Sequence, residues 1–275
     1  MSGRKDASYQ RVRGHLAHLK LTAAAECLAG ELERAQSEKP SYADFLDTLL
    51  GAEVAAVKAK SHERRLRLAG FPSHKTLEEF DFSAQPGLDQ RMVEELASLR
   101  FLEERSNVLL IGQPGVGKTM LAIALGLKAV DAGHRVYYTT APELVARSAK
   151  AASEGRWSAT MRFWAGPGLL IVDELGYLPM MGEAAAHLFQ VISHRYEKGS
   201  IILTTNRGIA SWGEIFEDTT VAAAILDRLL HRASVLQIDG ESYRMRGHRE
   251  KLKGLRDAVA GGGEIPWCAE TAPAP

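Results

Sequence analysis

Eight residues constrain this chain more than any others. Gly112-Gln-Pro-Gly115-Val-Gly117-Lys118-Thr119 satisfies G-x-x-x-x-G-K-[ST] and follows directly on the apolar run Val108-Leu-Leu-Ile111. A strand that breaks into glycines and resumes as a helix is the setting in which this pattern binds phosphate. The residue types carry the chemistry. Glycines let backbone N–H groups turn inward onto phosphate oxygens, Lys118 brings a positive charge to the β- and γ-phosphates, and the Thr119 hydroxyl is a ligand for Mg²⁺. The helix expected to start at Lys118 adds its N-terminal dipole to the same anion. Gln113, Pro114, Val116 and the first-turn Met120 complete the expected nucleotide-binding set.

A second apolar run, Leu169-Leu-Ile-Val-Asp173-Glu174, ends in adjacent carboxylates. In an open α/β sheet the C-terminal ends of the strands are where ligands bind. Asp173 is the expected Mg²⁺ partner through the metal's water shell, and Glu174 is placed to orient or deprotonate an attacking water. Glu directly after Asp favours an ATP-hydrolysing machine over a nucleotide kinase. A third run, Ile201-Ile-Leu-Thr204-Thr205-Asn206, delivers Asn206 to the same edge, either as a turn residue or as a group that holds the water or the γ-phosphate.

These runs alternate with helical stretches, and together with Arg135-Val-Tyr-Tyr138 they predict a parallel sheet covered on both faces. Thr140-Ala-Pro-Glu143 predicts a capping box at a helix start. Val235-Leu-Gln-Ile238 reads as an edge strand or part of a small lid. Before residue 105 no strand signal occurs. Apolar residues there fall at helical spacing, with Leu21, Ala25, Leu28 and Leu32 on one face and Phe45, Leu46, Leu49, Val54 and Val57 on another. Two amphipathic helices are expected, the second starting at Ser41 and running through Arg67 to a stop at Gly70-Phe71-Pro72. The predicted organisation is a small all-α domain over 1–75, a P-loop α/β domain over 76–258, and a disordered tail over 259–275.

Composition closes off other classes. The 275 residues hold 34 Lys+Arg against 34 Asp+Glu, and Cys27 and Cys268 are the only cysteines, so neither a disulfide scaffold nor a zinc site is legible. No run approaches the roughly 18 apolar residues of a membrane helix, and a cytoplasmic protein without membrane contact is expected.

The runs Asp173-Glu-Leu-Gly-Tyr-Leu-Pro179, Phe189-Gln-Val-Ile-Ser-His-Arg-Tyr196, Thr204-Thr-Asn206, Trp212-Gly-Glu-Ile-Phe216, Asp227-Arg-Leu-Leu-His231 and Gly240-Glu-Ser-Tyr-Arg244 together resemble the IstB family, ATP-binding helper proteins encoded by insertion sequences. The resemblance spans roughly residues 10–255 and includes Phe71-Pro72 and Lys75-Thr-Leu-Glu-Glu-Phe80. It implies an AAA+ fold with nucleotide at the interface between subunits. It further implies that Asn206 is the first sensor, Arg244 the second, and Arg228 the arginine that reaches a neighbour's γ-phosphate, with Arg232 one turn away as its rival. Thr205 stands where Ser is usual, and Arg232 where His is commoner. DnaC-type helicase loaders share much of the same pattern.

The resemblance also implies double-stranded DNA, a partner transposase and an ATP-dependent homo-oligomer, ring or filament, as partners. Residues 1–75 carry 13 Lys+Arg against 9 Asp+Glu. The candidate DNA-contacting residues are Lys58, Lys60, Arg64, Arg65 and Arg67, with Arg246 and Arg249 in a second basic cluster; either cluster also reads as an ordinary solvated face. No base-reading motif is present, so binding would be mainly to phosphates and steeply salt-dependent. Three functions remain open on sequence: a transposition helper that turns over ATP, a helicase loader, and an ATP-driven assembly switch with little turnover.

Overall fold

The computed structural model describes residues 2–245 apart from Leu178, Met181, Glu217 and Arg244, with side chains from Ala7 onward. Arg244, Arg246, Arg249 and the tail expected over 259–275 lie outside the described residues. The chain divides into two compact units, 1–65 and 66–275.

The first unit is helical. It holds α1 (Ser2–His18), α2 (Thr22–Glu38) and most of α3 (Tyr42–Ala69). Three helices stand where the periodicity predicts two. Ser41 caps α3 as expected: its Oγ accepts from the Asp44 N–H at 3.2 Å and donates to Asp44 Oδ2 at 2.6 Å. The small core is built from Leu16, Ala24, Leu28 and Leu49, with Leu21, Ala25, Leu32 and Phe45 packed against it. The predicted second face is only partly used. Leu46, Val54 and Val57 are more than half exposed, because Phe45 and Leu49 fill the space offered by α2 and the remaining apolar positions lie round the helix from them.

The second unit opens with α4 (Gln90–Ala97) and α5 (Arg100–Glu103) and continues with β1 (Asn107–Gly112), α6 (Lys118–Asp131), β2 (Val136–Thr140), α7 (Ala141–Ser153), α8 (Trp157–Ala165) and β3 (Leu169–Leu175). It ends with α9 (Glu183–Arg195), β4 (Ser200–Thr205), α10 (Trp212–Phe216), α11 (Thr219–Leu230) and β5 (Ala233–Ile238). The five strands form one sheet in the order β2-β3-β4-β1-β5, and every pairing is parallel. Val235–Ile238 is therefore the edge strand, and the lid reading is set aside.

Helices cover both faces, which explains why the strands read as continuous apolar runs. Leu169, Leu170, Ile171 and Val172 are each at most 1% exposed. Burying side chains of this size contributes about 1.5–3 kcal/mol each. One face packs Trp164, Leu188 and Trp212 against Leu170 and Val172; the other packs Leu121, Leu125 and Val130 against Ile171. Trp164 is part of this core and Trp157 is packed against it. The capping box predicted at Thr140 and Glu143 is present in both directions. Among the described residues no helix is long and apolar enough to cross a membrane.

Two polar staples hold the N-terminal edge of the sheet. Asn107 donates from Nδ2 to Leu229 O at 3.0 Å and accepts from the Ile201 N–H at 2.9 Å, and its own N–H donates to Arg232 O at 2.7 Å. Arg195 is 1% exposed and donates to the carbonyls of Trp164, Pro167, Gly168 and Ser200. Burial pushes its pKa down to about 10, so the guanidinium remains charged at neutral pH. The buried cation is tolerated here because four carbonyl dipoles surround it.

Candidate functional site

At the opposite edge, β1, β3 and β4 end together. The phosphate loop runs from Gly112 into α6, with Gly115 at φ +85° and Gly117 at φ +102°. Gly117 also accommodates a close neighbour: a Cβ there would lie 2.7 Å from Phe80 Cε2. These two facts explain why no side chain is tolerated at that position. Val116 is fully buried and anchors the loop from beneath, whereas Gln113 and Pro114 form its exposed outer turn. Lys118 Nζ lies within the loop and donates to the carbonyls of Gly112 and Gln113, both at 2.8 Å.

A cavity of about 360 Å³ opens above the loop. Gly115, Gly117, Lys118, Thr119 and Met120 line it from the loop side, and Asp173, Glu174, Thr204 and Thr205 line it from the strand ends. The two motifs read from sequence are thus one site. Thr119 Oγ1 donates to Asp173 Oδ1 at 3.1 Å, and Thr204 Oγ1 donates to the same oxygen. Tyr138 Oη donates to Asp173 Oδ2 at 2.6 Å. Asp173 is 2% exposed, and these three hydroxyls satisfy its buried charge. Burial, followed by the hydrogen bond to Asp173, pushes the Tyr138 phenol well above its ordinary pKa and keeps it a donor.

Glu174 is set apart from Asp173 by its backbone. Its φ is +63°, a left-handed conformation that costs a non-glycine residue about 1–2 kcal/mol. The register between β3 and β4 is irregular between Val172 and Leu175, and the Glu174 N–H donates to Thr204 Oγ1 at 3.0 Å. The kink turns Glu174 out of the sheet into the exposed mouth of the cavity, while Asp173 and Leu175 on either side stay buried. Strain of this kind concentrates at functional sites. Nothing in the composition of Val172-Asp-Glu-Leu175 signals it.

The site's donors suit Mg²⁺. Thr119 and Asp173 supply two hard oxygen ligands side by side. That is the pattern of an ion which keeps several waters and shares its coordination with phosphate oxygens.

Asn206 follows β4 at the same edge, and its Oδ1 is buried without a partner among the described residues. Arg228 is not in this site. It lies near the end of α11, beside Asn107 and Ile201 at the starts of β1 and β4, with its guanidinium 4.6 Å above the Phe189 ring and donating to Ala224 O at 3.2 Å. Arg232 is exposed nearby. Lys58, Lys60, Arg64 and Arg67 are exposed on α3, whereas Arg65 is half-buried with Nη1 on Ser61 Oγ at 2.7 Å.

Several lining residues escaped the sequence reading. Lys75, Glu79, Phe80 and Asp81 reach the cavity from before β1, and Tyr177 and Tyr243 from beyond the strands. The Tyr243 N–H donates to Gly115 O at 2.9 Å, so the segment leading to Arg244 leans on the phosphate loop. Lys75, Glu79, Phe80, Tyr177 and Tyr243 fall within the runs that carry the family resemblance, and Asp81 does not.

A phosphate loop, an acid pair and a polar β4 terminus at one edge of a parallel sheet ordered β2-β3-β4-β1-β5 define a P-loop protein of the AAA+ type. Solved AAA+ structures agree in fold: DnaI (TM-score 0.52, 19% identity, 60% of this chain and 91% of that one) and AMPPCP-bound DnaA from Aquifex aeolicus (0.51, 23%, 71% and 58%). Within that type, the chain belongs to the IstB-like ATP-binding protein family, whose profile matches residues 14–251. It is 47% identical over 235 residues to an ATP-binding protein of insertion sequence IS21 from Pseudomonas aeruginosa, covering 86% of this chain and 89% of that one. It is 41% identical over 248 residues to the corresponding protein of insertion sequence IS5376 from Geobacillus stearothermophilus, covering 90% and 99%.

Proposed function

We propose that this protein is a Mg²⁺-dependent ATPase that assists DNA transposition: ATP-bound subunits assemble on duplex target DNA and recruit or regulate a partner transposase, and hydrolysis resets the assembly. The observation that carries the ATPase reading is the convergence of Thr119, Asp173 and Glu174 on one cavity above the phosphate loop. The membership in a family of insertion-sequence ATP-binding proteins supports the biological setting.

In this reading the loop amides and the α6 N-terminus hold the triphosphate, and Lys118 exchanges its carbonyl partners for phosphate oxygens. Thr119 and Asp173 hold Mg²⁺, which offsets phosphate charge when bound. Glu174, turned out by its left-handed backbone, orients and deprotonates the attacking water. Asn206, directly after β4, is assigned to hold that water, as the family resemblance implies. Arg228, beside the starts of β1 and β4 and away from the phosphate loop, serves a neighbouring subunit. The exposed cations of α3 follow the DNA phosphates. The protein is cytoplasmic in this account, residues 1–75 forming the partner- or DNA-binding domain and 76–258 the ATPase domain.

Phosphate release from ATP tests the enzymatic part. Lys118→Ala removes nucleotide binding, whereas Glu174→Gln keeps binding and loses release. Equal turnover in Glu174→Gln and wild type contradicts the assignment of the base.

A further inference from the structure

Strand β2 carries none of the motif residues, yet it delivers a side chain to the metal carboxylate. β2 pairs with β3 so that Tyr138 lies opposite Ile171 and Thr140 opposite Asp173. Side chains two apart share a face, so Tyr138, Ile171 and Asp173 stand on the same side of the sheet. The tyrosine hydroxyl reaches one pleat forward to Asp173 Oδ2 at 2.6 Å. Oδ1 already receives Thr119 and Thr204. Donors on both oxygens fix the plane of the carboxylate and leave only defined lone-pair directions toward the cavity.

The ring of Tyr138 is itself held from behind. Phe71 packs against it with ring centroids 6.4 Å apart and planes at 59°. Phe71 fits there because α6 has Gly126 beneath it: a Cβ on Gly126 would lie 2.9 Å from Phe71 Cε1 and Cζ. Phe71 comes two residues after the end of α3, and Leu66, Ala69, Phe71 and Tyr138 belong to one apolar cluster with Ile171. The end of α3 is thus connected to Asp173 through two rings and one hydrogen bond.

We infer that Tyr138 is a positioning residue for the metal carboxylate: its hydroxyl sets the orientation of Asp173, and Phe71 makes that orientation depend on how the end of α3 is seated. This inference rests on the Mg²⁺–ATP reading of the site. All members of this link, from Leu66 to Asp173, belong to the second unit.

The test is binding of a fluorescent ATP analogue to the full-length chain, titrated with Mg²⁺ and repeated in EDTA. Tyr138→Phe deletes only the hydroxyl. Binding in EDTA is expected to stay at the wild-type level, while the half-saturating Mg²⁺ concentration rises about tenfold to a hundredfold, the range for losing a group that orients a metal ligand. Phe71→Leu is expected to shift it in the same direction. Tyr137→Phe is the control, since Tyr137 points to the other face and accepts from Arg147 Nη1 at 3.1 Å. A wild-type magnesium response in Tyr138→Phe, or the same shift in Tyr137→Phe, overturns the positioning role. An unchanged response in Phe71→Leu overturns the link to α3. Failure of the wild type to bind nucleotide at all would instead count against the function reading.

Discussion

The placement of Arg228 gives a prediction that needs two inactive proteins. α11 is pinned to the start of β1 by the two hydrogen bonds from Asn107 to Leu229 O and Arg232 O. The phosphate loop begins at the far end of that strand. Five steps of about 3.3 Å put the two ends about 16–17 Å apart, longer than any arginine side chain. Arg228 therefore cannot stabilise the γ-phosphate bound by its own chain, and a role in hydrolysis requires a neighbour. Removing an arginine supplied in trans lowers turnover by about 10³ or more. Arg228→Ala and Glu174→Gln should each be nearly inactive while still binding ATP. An equal mixture should recover activity, because the site of an Arg228→Ala subunit can meet the arginine of a Glu174→Gln subunit. Random pairing at a head-to-tail interface makes about a quarter of interfaces competent, so about a quarter of the wild-type rate is expected. Phosphate release measured across mixing ratios reads this directly. A mixture that only sums the two residual rates refutes the argument, and so does full activity in Arg228→Ala, which would transfer the role to Arg232.

Two further predictions concern the scaffold. Arg195→Met keeps the stem but removes four hydrogen bonds to carbonyls, of which Gly168 O retains the Ser200 N–H, and should remove about 4 kcal/mol of stability and lower Tm by about 8–16 °C. A loss under about 1 kcal/mol by urea denaturation would show that the staple is dispensable. Asp218 caps α11, and the N–H groups of Thr220 and Val221 hold its carboxylate below the usual range. A depressed folded pKa means its stabilisation is complete above the unfolded value near 4 and is lost as pH falls through the folded value. Asp218→Asn keeps a cap that does not titrate, so the Tm gap to wild type should narrow as pH drops from about 5 to about 2. A gap independent of pH would contradict this.

The parts of the site legible in sequence are those whose signals are local. A run of apolar residues, a cluster of glycines and a pair of acids each declare themselves within ten positions, and the sheet brings them together because parallel strands all end at one edge. Tyr138 was not legible as a site residue, because its relation to Asp173 exists only through the β2–β3 register, 35 residues away in sequence. The left-handed turn at Glu174 was hidden for a different reason: it occurs at a non-glycine residue whose N–H is bonded to the Thr204 hydroxyl on the neighbouring strand. On α3, periodicity identified the helix but overstated its buried face. Leu46, Val54 and Val57 are apolar at helical spacing, yet α2 offers them no surface to cover.

The most direct test of the central claim is binding of the purified protein to a long duplex and to the matching single strand. Each is measured without nucleotide, with ADP, with ATP, and with ATP and Glu174→Gln, at two salt concentrations. The account predicts cooperative duplex binding that requires ATP, is prolonged by Glu174→Gln and weakens steeply with salt as phosphate contacts are lost. Preference for the single strand, or no binding to DNA in any nucleotide state, would contradict it.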